Sequence, residues 1–282
     1  MPFGRPTIAA TLLAVMGLAG RVQPHDGFTA NGLHYKLEGR GPDVVLIHAF
    51  QMDLREWDDV AAGLAGSRRV VRYDVRGHGT SRVDGPLPSQ VADLLALLDE
   101  LNLPQPTLVG LSMGATIALD FAVTHPERVS RLILVSPGVP GIKVDVDFTW
   151  MSPILDAVRT GQPAKAAEAW WMSKLFDATR ARATDVDRIH GFVMDNAKIW
   201  SFGARPPALD PPAATRLKEL DMPLLTIAGD RDPLGGLEYA GAIATGVRNG
   251  RLVTVTGAGH MLTLERPDEL SRLIAQATES GK

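Results

Sequence analysis

Val109-Gly110-Leu111-Ser112-Met113-Gly114-Ala115 governs how this chain is read, because its Gly-x-Ser-x-Gly core closes one apolar run, Thr107 to Leu111, and opens another with helical spacing. A serine on a sharp strand-to-helix turn is a candidate nucleophile elbow. The turn has a chemical purpose, since a serine hydroxyl attacks poorly unless it projects into a cleft beside a base. Gly110 and Gly114 carry no Cβ to obstruct the reversal, and they let the following helix approach the incoming strand. By itself, the pentapeptide also describes an ordinary glycine-bounded turn, so the surrounding chain must give it meaning.

Upstream, Val44-Val45-Leu46-Ile47 is a continuous apolar run of the kind buried on both faces of a parallel sheet, and it ends at His48-Ala49-Phe50. Trp57, Val60, Ala61 and Leu64 then recur at helical spacing, Val70 to Asp74 reads as a strand, and Val91, Leu94, Leu95, Leu98 and Leu101 form a helical stripe. Downstream of the elbow, Ala115, Ile117, Ala118, Phe121 and Ala122 face inward from a helix that stops before His125-Pro126, and Leu132 to Val135 is the next strand. This alternation predicts an α/β fold with a doubly wound, mostly parallel sheet and right-handed crossovers. Phe28-Thr29-Ala30 and Leu33 to Leu37, separated by Gly32, read as antiparallel edge strands.

From Gly138 to about Pro212 the strand signals stop and four of the five tryptophans occur, Trp150, Trp170, Trp171 and Trp200. Helical stretches such as Ala164 to Leu175 alternate there with Pro and Gly breaks, which predicts a helical cap over residues 138–212 between core segments 25–137 and 213–282. Pro206-Pro207-Ala208-Leu209-Asp210-Pro211-Pro212 closes the cap as a stiff linker. The sheet resumes at Leu224 to Ala228 and Leu252 to Val255, and a helix from about Pro267 to Ala277 ends the pattern.

The first 24 residues differ: Arg5 precedes an uncharged, largely apolar run to Gly20 with small residues near its end. This reads as a secretory signal and a secreted or periplasmic protein, with an N-terminal extension of a cytoplasmic protein as the alternative. The run is short for a bilayer span, so no stable membrane insertion is expected. With 282 residues, 45% hydrophobic and 22% charged, the chain has material for one large domain and an insertion. A net charge of -3 without basic runs argues against nucleic acid as a partner. The absence of cysteine excludes disulfides, thiolate metal sites and a cysteine nucleophile, and no His, Asp and Glu cluster has metal-ligand spacing, so no metal or other cofactor is expected.

A serine nucleophile needs a base and an acid that orients the base. In doubly wound sheets such groups sit at the carboxyl ends of strands. His260, in Gly257-Ala258-Gly259-His260, follows one strand, and Asp232, in Gly229-Asp230-Arg231-Asp232-Pro233, follows another. The order Ser112, Asp232, His260 is the one expected for this elbow, with Asp230 as an alternative acid. His48, His78 and His125 read as structural residues, Asp74 and Arg76 as a pair that holds their loop, and His34 and Asp120 as outside any triad position. The tryptophans and Met151, Met172 and Met194 read as cap core more readily than as substrate contacts.

Together these features resemble the α/β-hydrolase fold family from Gly27 onward. Asp74-Val75-Arg76-Gly77-His78-Gly79-Thr80-Ser81 resembles the family's Asp-x-Arg-Gly-His-Gly-x-Ser loop, and Gly259-His260 with Glu265 and Pro267 resembles its histidine segment. His48-Ala49-Phe50 stands where the family has His-Gly-x, with Ala49 departing from the glycine. The resemblance implies an oxyanion hole formed by the backbone N–H groups of Phe50 and Met113, favours Asp232 over Asp230, and sets aside the dehalogenase and epoxide-hydrolase branches, which place an aspartate where this chain has Ser112. It implies a carboxylesterase-like serine hydrolase whose partner is a small-molecule ester or lactone. Lactonase, perhydrolase and C–C hydrolase chemistry, or ligand sensing on a hydrolase fold, remain open, as does the oligomeric state.

Overall fold

The computed structural model describes residues 24–84, 87, 89–202 and 208–279. The expected signal segment up to residue 23 and Pro206-Pro207 of the linker lie outside them.

Eight strands form one sheet: β1 (His25–Phe28), β2 (His34–Gly39), β3 (Asp43–Ile47), β4 (Arg69–Tyr73), β5 (Thr107–Leu111), β6 (Arg131–Val135), β7 (Leu224–Gly229) and β8 (Gly250–Val255), in spatial order β1-β2-β4-β3-β5-β6-β7-β8. β1 and β2 run antiparallel at one edge, and β4 through β8 are parallel. The first edge strand ends at Phe28 instead of running through Ala30, because Asn31-Gly32 makes a turn in which Gly32, at φ +85°, donates to the Thr29 carbonyl at 2.8 Å.

Strand alternation sorts the core onto two faces. Val44, Leu46, Val109 and Leu111 point to one face and pack with Val60, Ala61 and Leu64 of α1 (Asp58–Leu64) and with Leu270 and Ile274 of α10 (Pro267–Ala277). Val45, Ile47, Leu108, Leu132 and Leu134 point to the other, under α2 (Gln90–Glu100), α3 (Met113–Thr124) and α8 (Gly236–Gly246). Both faces of the central strands are therefore covered, which explains their uninterrupted apolar sequences.

Residues 138–202 hold α4 (Ser152–Arg159), α5 (Pro163–Trp171), α6 (Asp177–Arg182) and α7 (Val186–Asp195), with no strand among the described residues. Ile154, Trp170, Trp171, Phe192 and Val193 join them to the first core face. The helix expected through Leu175 stops at Trp171, because the Ser173 hydroxyl donates to the Trp170 carbonyl at 2.7 Å and ends the ladder. A one-turn helix α9 (Leu262–Glu265) precedes α10.

β3 is followed in sequence by its neighbour on one side, β4, and then by its neighbour on the other, β5, so the winding reverses there. The carboxyl ends of β3 and β5 flank the crevice where such sheets bind ligands. Gly114 fixes the depth of that crevice, because a Cβ there would collide with the Ile47 carbonyl at the end of β3, and one at Gly110 would collide with the Gly114 carbonyl. Gly114→Ala is expected to destabilise the fold by about 1–3 kcal/mol, seen as a thermal midpoint several degrees lower. Gly191→Ala, inside α7 with open space around its Cα, is expected to raise the midpoint instead.

Candidate active site

β5 delivers Ser112 into a backbone conformation, φ 53° and ψ -110°, that non-glycine residues rarely adopt. Three hydrogen bonds hold it there: Ser112 N–H donates to the Val135 carbonyl at 3.0 Å, and its own carbonyl accepts from Ala115 and Thr116 N–H at 3.0 and 3.1 Å. Met113 occupies the first position of α3, so its N–H has no acceptor within the helix.

His260 and Asp232 come from the loops after β8 and β7 and meet beside this end of the sheet. His260 Nδ1 lies 2.8 Å from Asp232 Oδ2, with side chains 3% and 0% exposed. Asp232 Oδ1 accepts the Leu234 N–H at 2.9 Å, which fixes the carboxylate plane. Asp230, the other acid of the segment, turns away and accepts the Gly257 N–H at 2.6 Å, bracing the loop that leads to His260. Ser112 Oγ makes no hydrogen bond among the described residues, and bonds of this type commonly tighten only with substrate.

Phe50 sits on the loop after β3, and that loop is held from three directions. Ala49 N–H donates to Glu56 at 2.7 Å, and the far oxygen of Glu56 takes the Thr263 hydroxyl at 3.1 Å. His48 Nδ1 lies 2.7 Å from the Ala49 carbonyl while its Nε2 accepts the Val75 N–H at 2.9 Å, and burial pushes its pKa down. Gln51, at φ 60° and fully buried, donates to the Val193 carbonyl at 3.2 Å and accepts from Trp200 Nε1 at 2.5 Å. Glu56 and Gln51 were not anticipated from sequence. Glu56 three residues past Asp53 has the form of a helix-start residue, and nothing in the spacing reveals that its carboxyl turns back to Ala49.

Asp74 and Arg76 do not pair as expected. Asp74 accepts the N–H groups of Leu54 and Thr80, at 2.9 and 2.8 Å, and faces His34 Nδ1 at 2.8 Å. Arg76 forks onto both oxygens of Asp93 at 2.8 Å each. Gly79 explains the division: its φ of +50° folds the loop over the Asp74 carboxylate, which is then saturated by backbone and by His34. His78 lines the cavity, with Nδ1 at 3.3 Å from the Val75 carbonyl, and burial lowers its pKa well below the ordinary range. His125 ends α3 and stacks on Phe121.

A cavity of about 740 Å³ opens at the elbow, lined there by Phe50, Ser112, Met113, Trp150, Trp170 and Trp200. Three of the four tryptophans within residues 138–202, together with Met151, thus line the cavity, whereas Trp171, Met172 and Met194 do not. Among the described residues, no helix is long and apolar enough to cross a membrane.

A mostly parallel sheet thus presents a strained serine and a buried His–Asp pair beside its carboxyl ends. The chain is a member of the alpha/beta hydrolase family, whose model matches residues 44–273. It is 29% identical over 269 residues, 88% of this chain and 95% of the other, to a Bacillus subtilis (strain 168) protein named as a 2-succinyl-6-hydroxy-2,4-cyclohexadiene-1-carboxylate synthase. It is 28% identical over 83% of its length, and 96% of the other's, to a pimeloyl-[acyl-carrier protein] methyl ester esterase of Aromatoleum aromaticum. Among solved structures, a hydrolase from Pseudomonas aeruginosa superimposes with a TM-score of 0.74 at 26% identity, over 92% of this chain and 99% of that one.

Burial pushes the Glu56 acid from 4.5 up to about 8, so the folded protein holds its proton through neutral pH. The unfolded chain releases that proton near 4.5, and the stability this group confers therefore falls as pH rises from about 4.5 to about 8. Glu56→Gln keeps an acceptor for Ala49 and sets a neutral amide N–H beside the Thr263 hydroxyl, whose oxygen accepts it once the hydroxyl rotates, and its urea midpoint is expected to lose this part of the pH dependence.

Proposed function

We propose that the chain is a serine hydrolase that cleaves a small or medium carboxylic ester or lactone through an acyl-enzyme. The buried 2.8 Å bond between His260 Nδ1 and Asp232 carries the reading, because it fixes the tautomer that leaves Nε2 free to take a proton. Ser112 Oγ attacks the carbonyl carbon as His260 accepts its proton, and the Phe50 and Met113 N–H groups stabilise the oxyanion, each such donor contributing about 3–4 kcal/mol. His260 then protonates the departing alcohol. In the second half-reaction His260 activates water, which attacks the acyl-serine and releases the acid.

The relative named as a methyl ester esterase supports an ester over a carbon–carbon bond. The cavity supports an ester without negative charge: Arg76 is the only arginine or lysine among its described lining residues, and both fork positions of its guanidinium are committed to Asp93. A multiply carboxylated substrate, of the kind the synthase relative's name contains, would find no free cation among those residues.

Wild-type protein is expected to hydrolyse short nitrophenyl esters and to be labelled once by a fluorophosphonate. Ser112→Ala is expected to lose both, with a fall in kcat on the order of a millionfold, and activity surviving this change would sink the serine mechanism. Asp232→Asn is expected to cost on the order of ten-thousandfold in kcat and Asp230→Asn less than about tenfold. The reverse ranking would make Asp230 the acid. Labelling without measurable turnover would favour ligand sensing.

A further inference from the structure

α3 carries more than the elbow. Thr116, Asp120 and Thr124 follow Ser112 at intervals of four, and all four residues line the cavity. Side chains four apart stack on one helix face, so the cavity wall is a polar stripe leading away from Ser112. At a rise of about 1.5 Å per residue, Asp120 lies about 12 Å along the axis from the serine.

Asp120 gains nothing visible from the fold. Its carboxylate receives no hydrogen bond and no ion pair among the described residues, and partial burial pushes its acid up to about 6. Aspartate is a poor helix former, and this one precedes the last turn of α3, where the macrodipole disfavours an anion. Withdrawing such a group from water without a partner is unfavourable. The neighbouring charges do not relieve it: Asp210 is a second acid on the lining, Arg76 is held by Asp93, and His125 is stacked on Phe121 with Nδ1 at 2.9 Å from the Thr124 hydroxyl. A carboxylate left open toward the cavity that holds the nucleophile is the complement of a cation.

We propose that Asp120 is a specificity-determining residue that receives a protonated amine carried on one arm of the substrate, about 12 Å along α3 from Ser112. The assignment rests on the serine-hydrolase reading for its substrate class but not for its binding chemistry. Thr116 and Thr124 flank the ammonium site with hydroxyl oxygens that donate to the Gly138 and Asp120 carbonyls and keep lone pairs with which to accept.

Two measurements test it. In calorimetry, octylammonium is expected to bind the wild type and octanoate not to bind. Asp120→Asn is expected to weaken octylammonium roughly ten- to a hundredfold, the range of a lost charged hydrogen bond, without lowering the thermal midpoint. In kinetics, nitrophenyl octanoate bearing an ω-ammonium is expected to exceed its ω-carboxylate analogue in kcat/KM at least about tenfold, or the same preference is expected among acetate esters of ω-substituted octanols. Asp120→Asn is expected to bring this ratio near one and Asp120→Lys to invert it. Octylammonium binding that Asp120→Asn leaves unchanged would overturn the assignment, as would an end-group ratio indifferent to both substitutions. If no ester is turned over but octylammonium binding still depends on Asp120, the subsite stands and the hydrolase reading falls.

Discussion

The contact on which this structure depends most is the approach of α3 to the end of β3, where Gly114 lies so close to the Ile47 carbonyl that no side chain fits between them. That contact sets Ser112 beside the His48-Ala49-Phe50 loop at the reversal of the winding. If the helix were pushed outward by the width of a methyl group, the strained Ser112 backbone would lose the bonds that keep it there. The same device recurs on the other side of the crevice. A Cβ at Gly229 would strike the carbonyls of Ala258 and Gly259, so the end of β7 can touch the loop that carries His260.

Loops that close over such contacts expose backbone N–H groups, and acidic side chains collect them. Glu56 takes Ala49, Asp74 takes Leu54 and Thr80, Asp230 takes Gly257, and Glu265 takes Gly259 at 2.6 Å and Met261 at 3.2 Å. Each satisfies donors that would otherwise be buried without partners, at a cost of about 1–3 kcal/mol apiece. The arrangement makes loop shape depend on a few acids that touch no substrate. It also explains why Asp120 stands apart, since among these acids it alone serves no backbone.

Much of this was legible in sequence because it follows from period and punctuation. Val44 to Ile47 and Leu132 to Val135 announce strands covered on both faces, and Gly110 and Gly114 announce the elbow between them. The order of Ser112, Asp232 and His260 could be read for the same reason, as each follows a strand. Side-chain partners were not legible. Asp74 and Arg76 are two residues apart, yet they bond in different directions, because the turn at Gly79 brings the Thr80 N–H to Asp74 while α2 brings Asp93 to Arg76. Gln51 and Glu56 were missed because their partners, Val193, Trp200 and Thr263, are more than 140 residues away.

These distant bonds couple residues 193–200 to the loop that bears Phe50. Gln51 is held by Val193 and Trp200, and Asn196 donates to Asp53 at 2.8 Å while accepting from Gly79 N–H at 2.7 Å. Trp200 also packs edge-on against Phe50, with ring centroids 5.0 Å apart. The residues that shape the cavity roof are therefore tied to the backbone proposed to hold the oxyanion. A substrate that shifts Trp200 must work against the Gln51 bond, so fit in the cavity and alignment of the Phe50 N–H are one constraint. On the proposed mechanism an ill-fitting ester would bind without aligning the Phe50 N–H, and discrimination would appear in kcat as well as in KM.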